Sequence, residues 1–354
     1  DGMPCALGVR HVLLLLSTWV LVRILVVMRD ILALIQPRGS GSGVAGGSSL
    51  SPPSDGTQSS EALPRPTRTV PAGYTLKQVE PGSHMAEMSW CKASASQFQV
   101  RCGPNYPRNK LKAPSAEALG EVVAMDAFYT KCKLHNIMQH GYIELPKATP
   151  GWSEPYAEFL VVNQMLPLHF KNALFTNEHT DGETVNLVTY VRFPAGLAKG
   201  WRDDEEPRTA EQLLKRFLLR ADQDSNIAHC LKELGLVLNT EEIKTSLPRS
   251  VYSLLVRFNG KPILTRPEHQ FFRHPENRYF GIDLNGHQYT LTTRTGVAKA
   301  IGHLQHLVLG YGMVIEARKE HELPETLMFC SNLLRLSAAK GTPFPPTGDG
   351  PPAG

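Results

Sequence analysis

The chain has 354 residues, a formal net charge of +4 and 20% charged residues. So mild a balance leaves no nucleic-acid footprint, and no lysine/arginine run exceeds two residues. Six cysteines without a C-x-x-C spacing argue against a thioredoxin motif or a zinc finger; together with the lack of any Asn-x-Ser/Thr site, they favour a reducing compartment for the folded part.

Residues 1–36 form a hydrophobic segment, strongly apolar over 12–28 and interrupted by Arg23. A membrane span needs about 20 apolar residues. This one reaches that length by tolerating Arg23, at a cost of about 2.5–3.5 kcal/mol at a helix centre. The segment reads as a membrane anchor, with a cleaved targeting segment and a buried or interfacial helix as the alternatives. Arg23, Arg29 and Arg38 follow the main run and Arg10 precedes it, which predicts a membrane-associated chain with its folded domain facing the cytoplasm. Residues 37–87 are a Gly/Ser/Pro-rich stretch that cannot bury enough apolar surface to order itself, so they read as a disordered tether.

The folded domain is expected over residues 88–338. Phe98, Val100 and Cys102 alternate with Gln99 and Arg101 in the period of a half-buried strand, and Gly103-Pro104-Asn105 ends it. Arg101, Arg108, Lys110 and Lys112 supply a small basic surface, read either as a solvated loop, the plainer reading, or as a contact for acidic lipid headgroups. Residues 121–130 read as a strand with Asp126 in its middle, 133–140 as a short helix, 159–166 as a central strand and 185–193 as another.

Thr209 and Gln212 form a capping box for a helix whose apolar face is Leu213, Leu214, Phe217, Leu218 and Ala221. Ser225 is expected to cap a second helix, with Ile227, Leu231 and Leu234 inward and Gly235 at its end. Alternation over 252–258 followed by Asn259-Gly260 predicts a hairpin. A strand is expected over 279–284, with Phe280, Ile282 and Leu284 on one face and Asp283 on the other, before a second Asn-Gly turn. Val297, Ala300, Ile301, Leu304 and Val308 fit an amphipathic helix stopped at Gly310, with a last strand at Met313, Val314 and Ile315. Residues 339–354 read as a disordered tail. The sum is an α+β domain: a curved, mainly antiparallel sheet with helices packed on one face, preceded by an apolar N-terminal helix and a tether.

Several stretches, in order, carry a resemblance. They are Phe98-Gln99-Val100-Arg101 with Gly103-Pro104-Asn105-Tyr106; Lys112 with Pro114; residues 123–128; Leu160-Val161-Val162-Asn163; Leu247-Pro248; Gly260-Lys261-Pro262; Tyr279-Phe280-Gly281-Ile282-Asp283; Gly310-Tyr311; and Glu322-Leu323-Pro324-Glu325. The set resembles the C-terminal domain of the plant Enhanced Disease Resistance Two family over roughly residues 90–336. It departs in carrying Ala127 for a larger residue, in Asn239-Thr240-Glu241-Glu242, and in a shortened strand before Glu322. The pleckstrin-homology and lipid-transfer domains that precede this module in the plant protein have no counterpart in this sequence. The resemblance implies membrane-linked regulation and no catalytic residues. It gives Gly103, Pro104, Asn105, Tyr106, Asp126, Asn163, Asp283, Glu322, Pro324 and Glu325 a structural role.

The leading expectation is therefore a non-enzymatic, membrane-associated regulatory module that binds lipid or a protein partner, with no cofactor and no metal. One alternative is a hydrolase using carboxylates such as Asp126 or Asp283, which on facing strands could share a proton or bind a metal. A satisfied, buried Asp126 and an outward Asp283 are the plainer reading. A second alternative is a purely structural interaction domain. His303 and His306, three apart, could ligate a metal, but a polar helix face explains them. No Gly-rich phosphate loop and no G-x-S-x-G elbow occur.

Overall fold

The computed structural model describes residues 66, 68–83, 85–168, 182–264, 269–289, 300–337 and 340–346. The expected apolar N-terminal helix at 1–36 and the first part of the tether lie outside these residues. In chain order the strands are β1 Val70–Pro71, β2 Lys77–Gln78, β3 Ser89–Lys92, β4 Gln99–Arg101, β5 Lys112–Pro114, β6 Glu121–Thr130, β7 Ile143–Glu144, β8 Phe159–Pro167, β9 Thr184–Arg192, β10 Leu231–Val237, β11 Pro262–Leu264, β12 His269–Arg273, β13 Tyr279–Asn285, β14 Val308–Ile315, β15 Leu327–Leu334 and β16 Thr342–Pro343. The helices described from end to end are α1 Tyr106–Asn109, α2 Ala210–Arg220, α3 Ser225–Ala228, α4 Thr240–Ile243 and α5 Arg249–Phe258, and Ala300 and Ile301 are also helical.

The class is α+β, with more strand than helix. The single sheet that the sequence suggests is instead two six-stranded sheets. The first runs β11-β10-β14-β15-β3-β2 and the second β12-β13-β8-β9-β6-β16. Pairing is mainly antiparallel, with parallel joins at β2/β3, β8/β13 and β6/β16. The two sheets share one apolar cluster. Met125, Leu160, Val162 and Phe280 come from the second sheet, Met313 and Phe329 from the first. Helix α2 packs in the same cluster through Leu214, Phe217 and Leu218, the stripe its spacing predicts. Helices therefore do not gather on one face of one sheet: α5 packs elsewhere, with Val251 against Val237, Ile243, Leu247 and Leu307.

Strands β8, β9 and β13 are buried on both faces, which explains their near-continuous apolar runs. The second sheet's outer face carries Phe128, Phe159, Val188 and Tyr190, covered by Leu134, Ile137, Ile143 and Phe344. The expected helix at 133–140 is a 3-10 turn at Ile137–His140 within this cover.

Several boundaries move. The tether's last part belongs to the folded body: β1 pairs with β7, and β2 with β3. So does part of the expected tail, because β16 pairs with β6 at Phe128 and Tyr129. Asp224, not Ser225, caps α3 by accepting the Asn226 N–H at 2.8 Å. That helix ends at Ala228, and Leu231, Leu234 and Gly235 lie in β10, placed there by seven register pairs with β14. Residues 252–258, expected as a strand, form most of α5, and Asn259-Gly260 is its exit rather than a hairpin turn. Val297 lies outside the described residues. Leu304–His306 is a 3-10 turn, and Val308 opens β14, with Gly310 inside that strand.

Candidate functional site

The two motifs with the most unusual residues meet. β4 and β5 form a hairpin in which Arg101 pairs with Lys112, and the Cys102 N–H donates to Leu111 O at 3.1 Å. Phe98 and Val100 seat the hairpin against Leu234, Val314 and Leu327 on the first sheet. Between the strands, Gly103-Pro104 is a cis peptide and Asn105 sits at φ +65°, a conformation asparagine tolerates. Helix α1 follows. Asn109 then closes the loop, its Nδ2 donating to Pro104 O at 2.9 Å and its Oδ1 accepting the Leu111 N–H at 2.9 Å.

Carboxylates in and beside the second motif hold this loop and the turn at residues 317–319. Glu325 accepts the Arg101 N–H at 3.1 Å and the Ala317 N–H at 3.0 Å. Glu322 accepts the N–H groups of Arg318 and Lys319 at 2.6 and 2.9 Å, and Glu320 accepts that of Asn105 at 2.9 Å. The Arg101 guanidinium lies 2.7 Å from Glu316 and stacks 5.0 Å from the Tyr106 ring centroid. Lys232 of β10 completes the ion cluster on Glu316.

Electrostatics follow from this packing. Burial lowers Lys232, and burial also opposes ionisation of Glu316, but the Lys232 and Arg101 cations outweigh it and hold Glu316 below its ordinary value. Burial pushes Glu325 up despite the two N–H donors and Arg101. Arg101, one of the four cations expected at headgroups, is engaged by Glu316 and Glu325. Arg108, Lys110 and Lys112 are exposed. Lys110 Nζ lies 5.6 Å from the Tyr106 ring centroid, and Leu111 between the two lysines is 48% exposed. An open cleft of about 440 Å³ adjoins the loop, lined by Arg101, Tyr106, Asn226, His229, Arg318 and Lys319 among others.

Asp126 and Asp283 lie on the same, outer face of the second sheet, but in different strands. Asp126 pairs with Val188, Val188 with Asn163, and Asn163 with Asp283. Three strand spacings of about 4.8 Å put them roughly 14 Å apart, too far to share a proton or a metal. Each is a satisfied acceptor. Asp126 takes the N–H groups of Gly73 (2.9 Å) and Thr75 (2.7 Å) and the Thr75 hydroxyl (2.9 Å). Asp283 is buried rather than facing outward: it takes the Asn136 N–H at 2.8 Å, Asn163 Nδ2 at 3.0 Å and His135 Nδ1 at 3.2 Å. Asn163 also donates to Leu134 O at 2.8 Å. The two aspartates clamp the covering segments onto the sheet.

The rings of His303 and His306 are 6.5 Å apart. Among the described residues, no group of three or more His, Cys, Asp or Glu side chains could hold a metal ion. Lys232, Glu233, His135 and Arg318 were not singled out from sequence. The adjacent Lys232 and Glu233, inside an otherwise apolar stretch, were the available signal.

The model of the family described as Protein ENHANCED DISEASE RESISTANCE 2, C-terminal, matches residues 90–337. The chain belongs to this family. No curated protein and no solved structure matches it. The Enhanced Disease Resistance Two match begins at Trp90, so β1, β2 and the Gly73 and Thr75 donors between them precede it.

Proposed function

We propose that the chain is a non-enzymatic module that docks on anionic membrane lipid through the tip of the β4–β5 hairpin. The observation that carries this reading is Leu111, held outward between Lys110 and Lys112 on a loop whose base is tied down by Glu325 at the Arg101 N–H and Glu320 at the Asn105 N–H. An apolar tip flanked by cations suits a bilayer surface: each basic residue contributes about 1 kcal/mol near anionic lipid, and a buried leucine about 1.5–3 kcal/mol. Arg108 adds a third exposed cation, and Arg318 lines the neighbouring cleft. The apolar segment at 12–28 would hold the domain beside the membrane, on its cytoplasmic side. The separation and full engagement of Asp126 and Asp283 favour binding over hydrolysis.

Hydrogen exchange on the full chain tests the reading, with vesicles of phosphatidylcholine alone or with phosphatidylserine. Residues 102–112 should exchange more slowly only with phosphatidylserine, and Lys110→Gln with Lys112→Gln should abolish that protection. Equal exchange in both vesicle types refutes the proposal and leaves a protein partner as the occupant to seek.

A further inference from the structure

A second surface combines exposed apolar side chains with cations. Five large hydrophobic side chains are exposed among the described residues; Val256 (45%) and Phe258 (40%) belong to the last turn of α5, and Leu238 (37%) follows Val237, which Asn259 bonds at that helix's exit. Helix α5 uses Val251, Tyr252 and Leu255 to hold the body, which leaves its last turn projecting. Asn259 then fixes that end. Its Oδ1 accepts the Val237 N–H at 2.7 Å and its Nδ2 donates to Val237 O at 3.2 Å, which sets Leu238 beside the helix exit.

The charged side chains at the Phe258 ring are cations. The Arg257 guanidinium and the Lys261 ammonium lie 5.7 and 5.5 Å from the Phe258 ring centroid, and neither has a carboxylate partner among the described residues. Over residues 238–262 the cations are Lys244, Arg249, Arg257 and Lys261. The only acids there are Glu241 and Glu242, and Glu242 is bonded by Arg335 and Asn239.

We propose that the C-terminal turn of α5, with Leu238, is a membrane wedge that enters the headgroup–acyl boundary of an anionic bilayer. Phe258, Val256 and Leu238 supply the buried apolar area; Arg257 and Lys261 stay at headgroup level, where lipid phosphate and carboxylate serve as their acidic partners. Three side chains are too few for a stable protein interface, which needs about 800 Å² per partner. The proposal rests on the reading of the chain as membrane-associated, but uses none of the hairpin's residues.

The test is Phe258→Trp in the full chain, read as the difference from wild type so that Trp19, Trp90, Trp152 and Trp201 cancel. With vesicles of brominated phosphatidylcholine and phosphatidylserine, emission from the introduced indole should shift to the blue and be quenched. Adding Arg257→Gln and Lys261→Gln should weaken the vesicle dependence about fivefold per cation. An unchanged difference spectrum overturns the proposal, as does a shift that needs protein concentration rather than vesicles, which would mark a second copy of the chain. Lys110→Gln with Lys112→Gln disables the hairpin contact and should leave the indole signal in place. Loss of that signal would mean α5 is not an independent contact. If wild-type residues 249–262 exchange hydrogen at the same rate with and without vesicles, the proposal fails without reliance on any variant.

Discussion

Asp126→Ala tests whether residues 70–78 belong to the folded body through one carboxylate. Asp126 is fully buried and takes three donors, the N–H groups of Gly73 and Thr75 and the Thr75 hydroxyl. Truncation leaves two backbone N–H groups without partners, each costing about 1–3 kcal/mol. The Thr75 hydroxyl still accepts the Ala127 N–H at 2.7 Å, so its loss is partial. Burial raises the Asp126 carboxyl above its ordinary value, so removing it also relieves a desolvation cost. The expected net loss is about 2–4 kcal/mol. Asp126→Asn retains the volume and one acceptor but turns an amide donor toward the Gly73 N–H, for a loss of about 1–3 kcal/mol. Urea denaturation gives the stability, and hydrogen exchange at Gly73 and Thr75 gives the local effect. If Asp126→Ala changes stability by less than about 0.5 kcal/mol, the range of ordinary surface substitutions, and leaves that exchange unaltered, the clamp argument is refuted.

Glu233 sets a pH dependence. It is buried between the sheets, where Gln164 Nε2 donates to it at 2.8 Å, and burial pushes it from 4.5 to about 7. The folded state then holds the proton more tightly than the unfolded chain. Its contribution is complete below pH 4.5 and is lost as pH rises to about 7, about 3 kcal/mol in all. Glu233→Gln should lack that slope, so that it appears as the difference between the two stability–pH profiles measured by urea denaturation; profiles of identical shape would refute it. Phe344 packs edge-to-face on Phe128 and Tyr142 at 5.3 and 5.4 Å, so Phe344→Ala should cost about 2 kcal/mol, read from the urea midpoint.

The strands β6, β8 and β9 were legible because alternation or a continuous apolar run marks them within ten residues. β10 was not. Leu231 and Leu234 have helical spacing by coincidence; in the strand they fall on opposite faces, and the charges between them are satisfied by Glu316 and Gln164, which no local pattern reveals. In α5 the alternation of Tyr252, Leu254, Val256 and Phe258 was misleading, because the helix buries Val251, Tyr252 and Leu255 and leaves Val256 and Phe258 outside. The Asn285-Gly286 turn was legible, though for another reason than φ: a Cβ on Gly286 would lie 2.7 Å from Met165 O. Gly73 and Thr75 looked like tether because their ordering partner is more than fifty residues away. At the candidate site the basic residues could be read, but the engagement of Arg101 by Glu316 and Glu325 could not, since those partners lie over two hundred residues on.

That engagement divides the site into a base and a tip. Glu320, Glu322 and Glu325 each accept at least one backbone N–H, so between them they satisfy five donors of the two loops. A carboxylate used this way has little left to offer a ligand, and an arginine between two glutamates is in the same position. The residues that give the family motifs their identity therefore hold shape. Arg108, Lys110, Leu111 and Lys112 make none of the motif ion pairs, and their side chains are exposed. Changes in the base should appear as lost stability, and changes at the tip as lost binding with stability intact. In the docking proposed for this tip, a basic tip on a welded base would lose little conformational freedom, so a few cations and one leucine there would count for more than the same residues on a loose loop.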